Sequence, residues 1–224
     1  MEAYRNSELF DLTHTIANEL FEQTEYPWEV LSLIHDFILK IGPTLNEEEF
    51  DEPWENIWVA KDALISPMAT IKAPAIIGHE TEVRPGAFIR GDALVGDNVV
   101  VGNSTELKNV ILFDGVQVPH YNYVGDSIMG YKAHTGAGSI MSNVKGDKKH
   151  VVIHNGDKHV DTGRKKVGAM LGDHAEIGCN TVMNPGTVIG RGTQVYPMSM
   201  VRGCIPAGTI YKKAGEIVER VEMD

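Results

Sequence analysis

Of the nine histidines in this chain of 224 residues, one sits in a run whose residue types could do chemistry. His120 opens the segment His120-Tyr121-Asn122-Tyr123-Val124-Gly125-Asp126. Histidine is the side chain whose ordinary pKa lies nearest neutrality, so a positioned imidazole is suited to take a proton during nucleophilic attack. A second candidate is a basic tract. Across 142–167, seven cations (Lys145, Lys148, Lys149, Lys158, Arg164, Lys165, Lys166) face three aspartates, a local balance of +4 in a chain of net charge −11. Such a patch suits a phosphate-bearing small molecule, and its alternative is a solvated surface loop. Cys179 and Cys204 fit no zinc spacing and no disulfide framework, so a reducing cytoplasm is the expected setting.

The elements that must position these residues follow from the hydrophobic period. Val59, Ile65, Ile71, Ile77, Val83, Ile89, Val95, Val101 and Leu107 recur at intervals of six. Four residues after each of the first eight stands Ala63, Ala69, Ala75, Thr81, Ala87, Ala93, Val99 or Thr105. Strand alternation explains neither the strict six nor the small second residue; a hexapeptide β-helix explains both. The pattern slips by one residue to Leu112, Val118 and Val124, and slips again to Met129, Thr135 and Met141. It vanishes over about 142–167 and returns with Leu171, Ile177, Met183, Ile189, Val195 and Val201. Three hexads per coil predict about six or seven coils, a prism about 30 Å long at the usual strand spacing. His120, the second residue after Val118, falls at an outward or corner position. The Val83 and Val118 hexads share a face two coils apart, which sets Arg84 and His120 about 10 Å apart along the axis.

Residues 1–55 read differently. Leu9, Leu12, Ile16 and Leu20 recur at helical spacing, with Asn6 or Ser7 as the expected N-cap. Pro27 suits the first turn of a second helix carrying Trp28, Leu31, Ile34, Ile38 and Ile41, and Gly42-Pro43 is expected to end it. Residues 1–57 hold fourteen Asp and Glu against Arg5 and Lys40, so the acidity belongs to this segment. Two short helices bury little alone and must dock on the remainder; the first coil is the natural place for such a cap. The expected organisation is a helical acidic segment at 1–55 and a mainly β, β-helical domain at 56–224 with an excursion at about 142–167. The charge pattern gives no nucleic-acid footprint. No apolar run approaches the 18 or so residues of a membrane span, and Met1 to Phe10 show no secretory signal.

These residues carry a resemblance. Val83-Arg84-Pro85-Gly86-Ala87, Val101-Gly102-Asn103-Ser104-Thr105-Glu106-Leu107-Lys108, the His120 segment and Gly136-Ala137-Gly138-Ser139-Ile140 with Asn143 resemble the acetyltransferase domain of the bacterial bifunctional UDP-N-acetylglucosamine synthesising enzyme. The archaeal sugar-1-phosphate nucleotidylyltransferase/amino-sugar acetyltransferases share these motifs and also a stretch similar to Thr162-Gly163-Arg164-Lys165-Lys166 and Gly168. The likeness covers residues 59 to about 206. It implies a left-handed parallel β-helix, a side-by-side homotrimer, and acetyl-CoA as cosubstrate, bound between neighbouring subunits, with no metal needed for the chemistry. By the same resemblance His120 would be the general base. Arg84 and Lys108 would hold the sugar phosphate, and Tyr123, His134, Asn143 and Lys149 would complete the substrate site; His134 stands where the bacterial enzymes carry Asn. Cys179 and Pro197 would contact acetyl-CoA, with Arg164, Lys165 and Lys166 as further cofactor residues. The glycine-rich Leu-x-x-Gly-x-Gly-Thr-x-Met signature of the nucleotidyltransferase half is not found in these residues, so uridylyl transfer is not expected.

The expected function is therefore acetyl-CoA-dependent N-acetylation of an amino-sugar phosphate or nucleotide amino sugar. The His120 chemistry fits: a neutral amine attacking a thioester must lose a proton. Two alternatives stand beside it. One is a sugar-nucleotide-binding homologue without turnover. The other is a zinc lyase: His154 and His159 have a two-histidine spacing seen in γ-class carbonic anhydrases, which share this helix, and Arg90-Gly91-Asp92 echoes a motif found there. A catalytic zinc needs three protein ligands, and these two histidines fall in the excursion rather than at coil corners.

Overall fold

The computed structural model describes residues 4–220. Short parallel strands stack into three ladders, the faces of a β-helical prism. The first face runs through Trp58, Ile76, Leu94, Ile111, Ile128, Met170, Val188 and Cys204, each paired in register with the next. The second carries Ile65, Val83, Val101 and Val118 at its start and Thr135, Ile177, Val195 and Tyr211 towards its end. The third runs through Thr70, Phe88, Glu106, Tyr123, Ile140, Val182 and Met200. Eight rungs on each of two faces and seven on the third slightly exceed the six or seven coils expected.

The hexad explains the interior. Its large aliphatic points inward, as Ile77, Val83, Ile89, Val101 and Leu107 do, all essentially without solvent exposure. Its small residue, as at Ala75, Thr81, Ala87 and Ala93, lies where the interior narrows at a corner, and is equally buried. Thr81 also satisfies its hydroxyl there, donating to the Gly96 carbonyl at 2.8 Å.

The helical segment is more broken than its spacing predicts. It comprises α1 (Asn6–Leu9), a 3₁₀ turn (Leu12–His14), α2 (Asn18–Glu22), α3 (Pro27–Val30) and α4 (Ile34–Ile41). Pro27 does open its helix, but a 3₁₀ turn at Gly42–Thr44 follows α4, so Gly42-Pro43 does not end the winding. Asn6 is not a cap; its buried amide donates to the Phe21 and Thr24 carbonyls and so ties α1 to α2. Ile16, expected on the apolar face, is half exposed.

The end of the segment, the strand Phe50–Trp54, pairs antiparallel with Ile57–Ala60 and so covers the edge of the first coil, but the helices themselves run elsewhere. They lie along the first face from end to end. Asp11 N–H donates to the Asp173 carboxylate at 2.7 Å, Asp173 N–H donates to the Leu9 carbonyl, and Asp114 N–H donates to the His14 carbonyl. Phe10 and Phe21 close on Phe113 at ring separations of 5.1 and 5.3 Å. His14 stacks on Tyr131 at 3.6 Å, His35 bonds Asp92, and Gly42 lies against Trp58, where a Cβ would come within 2.4 Å of the indole. The reason is on the first face itself. Its outward residues, from Trp58 through Val188, are large and apolar, and the helices remove them from water.

The excursion is a folded β-hairpin. Strands Val152–Asn155 and Lys158–Asp161 pair antiparallel, with Ile153 opposite Val160. Val151 and Ile153 are fully buried against the bare backbone at Gly186, where a Cβ would come 2.8 and 3.0 Å from them.

Candidate functional site

The residues singled out above fall at two corners of the prism. The corner between the second and third faces carries the histidine. The register puts Pro85, Asn103, His120, Ala137, Cys179 and Pro197 in one column, each a rung from the next. A side-chain and a backbone hydrogen bond stitch the column: Asn103 Nδ2 donates to the Pro85 carbonyl at 2.8 Å, and Gly138 N–H donates to the His120 carbonyl at 3.0 Å. The His120 ring is exposed, and among the described residues nothing hydrogen-bonds it. Its backbone is pinned: His120 N–H donates to Asn122 Oδ1 at 3.1 Å, and buried Asn122 donates to the Gly136 carbonyl at 2.8 Å. The imidazole is thus free on a fixed stem. One rung before it, Gly102 leaves room for the Pro119 carbonyl, which a Cβ would meet at 1.6 Å.

Arg84 stands at the same corner two rungs earlier, about 10 Å away along the axis. It pairs with Glu82 at 2.8 Å, and that guanidinium holds the Glu82 carboxyl below its usual range. Beyond His120, a recess of about 240 Å³ lies among His134, Glu176, Cys179 and Tyr196, and His134 Nδ1 bonds Glu176 at 2.8 Å. Cys179 is free and exposed, as Pro197 is exposed. Cys204, also free, lies by contrast against the helical cover, where burial pushes its thiol up to about 12.

The other group sits at the corner between the third and first faces. Lys108 Nζ lies 3.2 Å from both oxygens of Asp126. The same buried carboxylate accepts from Asn109 Nδ2 at 2.9 Å and from Asn143 Nδ2 at 2.5 Å. Asn143 also donates to the Tyr123 hydroxyl at 3.2 Å, and burial raises that phenol above its ordinary value. Gly125 makes this possible, since a Cβ there would collide with Tyr123 Oη at 2.5 Å and Asn143 Nδ2 at 2.8 Å. Arg164, Lys165 and Lys166 line the same corner from the excursion side, with Ser32 and His35 of the helical segment opposite. Lys149 lies apart, beside Lys145, Lys148 and His150, and touches this group only through a shared neighbour, Lys165.

Sequence reasoning did not single out Asp126, Asn109, Ser32 or His35 as members of this group, although a signal existed. The two one-residue slips in the hexad pattern fall at this corner. Strands Glu106–Leu112 and Tyr123–Met129 run straight through it, with Asn109 and Asp126 turning in the left-handed region at φ 53° and 48°. Each missing residue shortens the corner and draws the polar side chains into a recess.

The two corners are separated by one whole face, about five residues or on the order of 15 Å of extended chain from His120 to Gly125. One chain brings Arg84, His120, Cys179 and Pro197 together, and separately Lys108, Tyr123, Asn143 and Arg164–Lys166. In the hairpin, His154 and His159 lie opposite each other with Nδ1 atoms 3.0 Å apart. Among the described residues no cluster of three or more His, Cys, Asp or Glu could hold a metal ion, and no helix is long and apolar enough to cross a membrane.

The chain is similar to known proteins. The chain is 31% identical over 193 residues to a bifunctional sugar-1-phosphate nucleotidylyltransferase/acetyltransferase of Sulfurisphaera tokodaii, covering 73% of this chain and 48% of that protein. It is 31% identical over 203 residues to a bifunctional protein GlmU of Methanococcus maripaludis, covering 90% of this chain and 49% of the other. These bifunctional proteins are homologues of the chain. The chain spans about half the length of these relatives. The family model for the GMPPB C-terminal domain matches residues 71–157. Among solved structures, a hexapeptide transferase family protein of Anaplasma phagocytophilum matches with a TM-score of 0.40 and 16% identity, covering 73% of this chain and 78% of that one.

Proposed function

We propose that the protein is an acyltransferase that moves the acetyl group of acetyl-CoA to the amine of a phosphate-bearing amino sugar, with His120 as general base. The observation that carries this reading is the unpartnered His120 imidazole on a pinned backbone, in one column with Cys179 and Pro197 and two rungs from Arg84. Homologues named as acetyltransferases support the choice of reaction.

In the proposed step the amine nitrogen attacks the thioester carbonyl while His120 takes the amine proton. The carbon–sulfur bond then breaks and the thiolate of coenzyme A leaves, accepting the proton. A ring with no competing internal hydrogen bond is suited to this, since the base must meet its substrate's proton directly. Lys108, held by Asp126, and Arg84 would grip the phosphate, and Tyr123, Asn143, His134 and Lys149 would border the sugar. Cys179 and Pro197 would border the thioester arm, and Arg164, Lys165 and Lys166 the cofactor's charged end. The proposal covers acetyl transfer only.

A second copy of the chain is part of the proposal. The two groups stand at different corners, so a single protomer cannot close them on one substrate, whereas a neighbour's corner can. The third face supports such packing: Ile140, Val182 and Met200 stand in register on consecutive rungs and remain 40%, 36% and 66% exposed. A closed ring of three is the arrangement expected.

The test is thiol release from acetyl-CoA with glucosamine-1-phosphate as acceptor. Removing a positioned base typically costs about 10²–10⁴-fold, and His120→Ala is expected to lose activity on that scale with acceptor binding retained. Wild-type protein that binds the sugar phosphate but acetylates no amino-sugar acceptor would instead be a binding homologue without turnover.

A further inference from the structure

His120 does not stand alone at its corner. The next residue, Tyr121, is 66% exposed, more than any other Tyr, Phe or Trp among the described residues. The corner dictates its backbone. The residue after each member of the His120 column turns in the left-handed region: Gly86, Ser104, Tyr121, Gly138, Asn180 and Met198, at φ 77°, 54°, 52°, 72°, 54° and 60°. Glycine and short polar residues suit that conformation, and a bulky side chain there is unfavourable. Among the described residues with positive φ, only Tyr121 and Met198 are large hydrophobics.

The Tyr121 ring is displayed rather than packed. Among the described residues nothing hydrogen-bonds its hydroxyl and nothing stacks on its ring. Its neighbours one rung to either side are the small residues Ser104 and Gly138, which leave both flanks open. The main chain beneath is fixed, since Tyr121 N–H donates to the Asn103 carbonyl at 2.9 Å. A strained backbone that holds an unpartnered ring in water is an outlier that points to a ligand.

We propose that Tyr121 is the platform on which the pyranose ring of the acceptor stacks, and that it selects an amino sugar over other amines. The inference rests on the acetyl-transfer reading, which brings the acceptor amine to His120. A base must come within about 2.6–3.2 Å of the group it deprotonates, and neighbouring Cα atoms are about 3.8 Å apart. Whatever lies on the Tyr121 ring is therefore only a bond or two from the reacting nitrogen. That is the sugar ring itself. A nucleobase, held beyond a diphosphate, would lie too far away, and a phosphate would seek a cation. The chemistry matches as well. A pyranose presents a face of C–H bonds with hydroxyls at its edge, and a phenol presents an apolar face with one hydroxyl at its rim. An open-chain amine or a protein lysine offers no such face.

The test is calorimetric titration of the full chain with glucosamine-1-phosphate and with inorganic phosphate, on the wild type, Tyr121→Phe and Tyr121→Gly. Tyr121→Phe is expected to bind the sugar phosphate within about twofold of the wild type, because the ring face is kept. Tyr121→Gly is expected to weaken it about three- to tenfold, the scale of one aromatic contact, and to leave inorganic phosphate unchanged. In turnover the same variant should raise the KM for the acceptor, with kcat and the KM for acetyl-CoA little altered. Its melting midpoint is expected to hold or rise, because the chain gives up a left-handed tyrosine. Tyr121→Asn, which also tolerates that conformation, serves if the glycine variant misfolds. Wild type that binds no glucosamine-1-phosphate would overturn the platform, as would variants that lose both ligands equally, melt well below the wild type, or change the oligomer in sedimentation; the last would give the ring to a neighbouring copy. If Tyr121→Gly leaves the affinity and KM for the acceptor unchanged while transfer proceeds, the platform falls and the transfer reading stands. If binding weakens as expected but the wild type acetylates no acceptor, the transfer reading falls and the platform stands.

Discussion

The first and third faces of the prism are built from the same hexad and meet opposite fates. On the first, the outward residue of nearly every rung is large and apolar, and the helical segment covers the row from Trp58 to Val188. On the third, the outward row begins mixed, with Thr70, Phe88, Glu106 and Tyr123, and becomes continuously apolar only at Ile140, Val182 and Met200, which stay exposed. The inward pattern of a β-helix secures only the prism. The outward pattern decides what each face must meet, and here it assigns one face to the chain's own helices and leaves the late rungs of another exposed.

The largest expected effect breaks the first face. Phe113 is fully buried and holds Phe10 and Phe21 against the prism. Phe113→Ala is expected to cost about 3–5 kcal/mol in urea unfolding, the usual range for a buried aromatic cut to a methyl. On the third face, Ile140→Ala is expected to change monomer stability by less than about 0.5 kcal/mol, as for exposed positions generally. Equal costs at the two sites would erase the contrast.

The next prediction sharpens the contrast through association rather than folding. Val182→Asp places a carboxylate in the middle of the exposed apolar row, and burying it at an interface would be unfavourable. Sedimentation is expected to show a shift from a trimer to single chains at micromolar concentration, with the melting curve of the monomer little changed. An unaltered oligomer would remove the third face from the proposed contact.

Much of this was legible beforehand. The period of six marked the prism and its interruption located the excursion, because inward residues must obey the coil whatever surrounds it, whereas the hairpin in the excursion and the shortened corner at the slips are seen only in the structure. The outward position of His120 followed from the same register. The course of the helical segment did not. Its own spacing suggested two helices and an end cap, while the information lay in the prism: Ile76, Leu94, Ile128, Met170 and Val188 stand beside inward residues and are masked by them in a count of hydrophobics. Asp126 and His35 escaped for a related reason. Their significance comes from elements far apart in the chain, and no local pattern records that Arg164 and Ser32 border one cleft.

The smallest expected effect concerns pH and the clasp that fastens the cover. Asp173 is wholly buried, yet its carboxylate receives Asp11 N–H at 2.7 Å, Tyr131 N–H at 2.8 Å and Arg191 at 2.7 Å. Burial raises its carboxyl above the ordinary value, and the donors and Arg191 only partly offset that. The native state therefore holds this proton more tightly than the unfolded chain does. The stability it contributes is fully present below about pH 3.8, the ordinary value, and is lost as pH rises through the native one. Asp114, which neighbours His14 at the same interface, is raised by burial too and acts in the same sense. Asp173→Asn removes one of these two titrations, so urea midpoints measured from about pH 4 to about pH 7 should fall less steeply in the variant than in the wild type. An unchanged slope would mean that the Asp173 carboxylate, although bonded to Asp11, is not where the cover feels pH, and would shift that role to Asp114 on the His14 side of the segment.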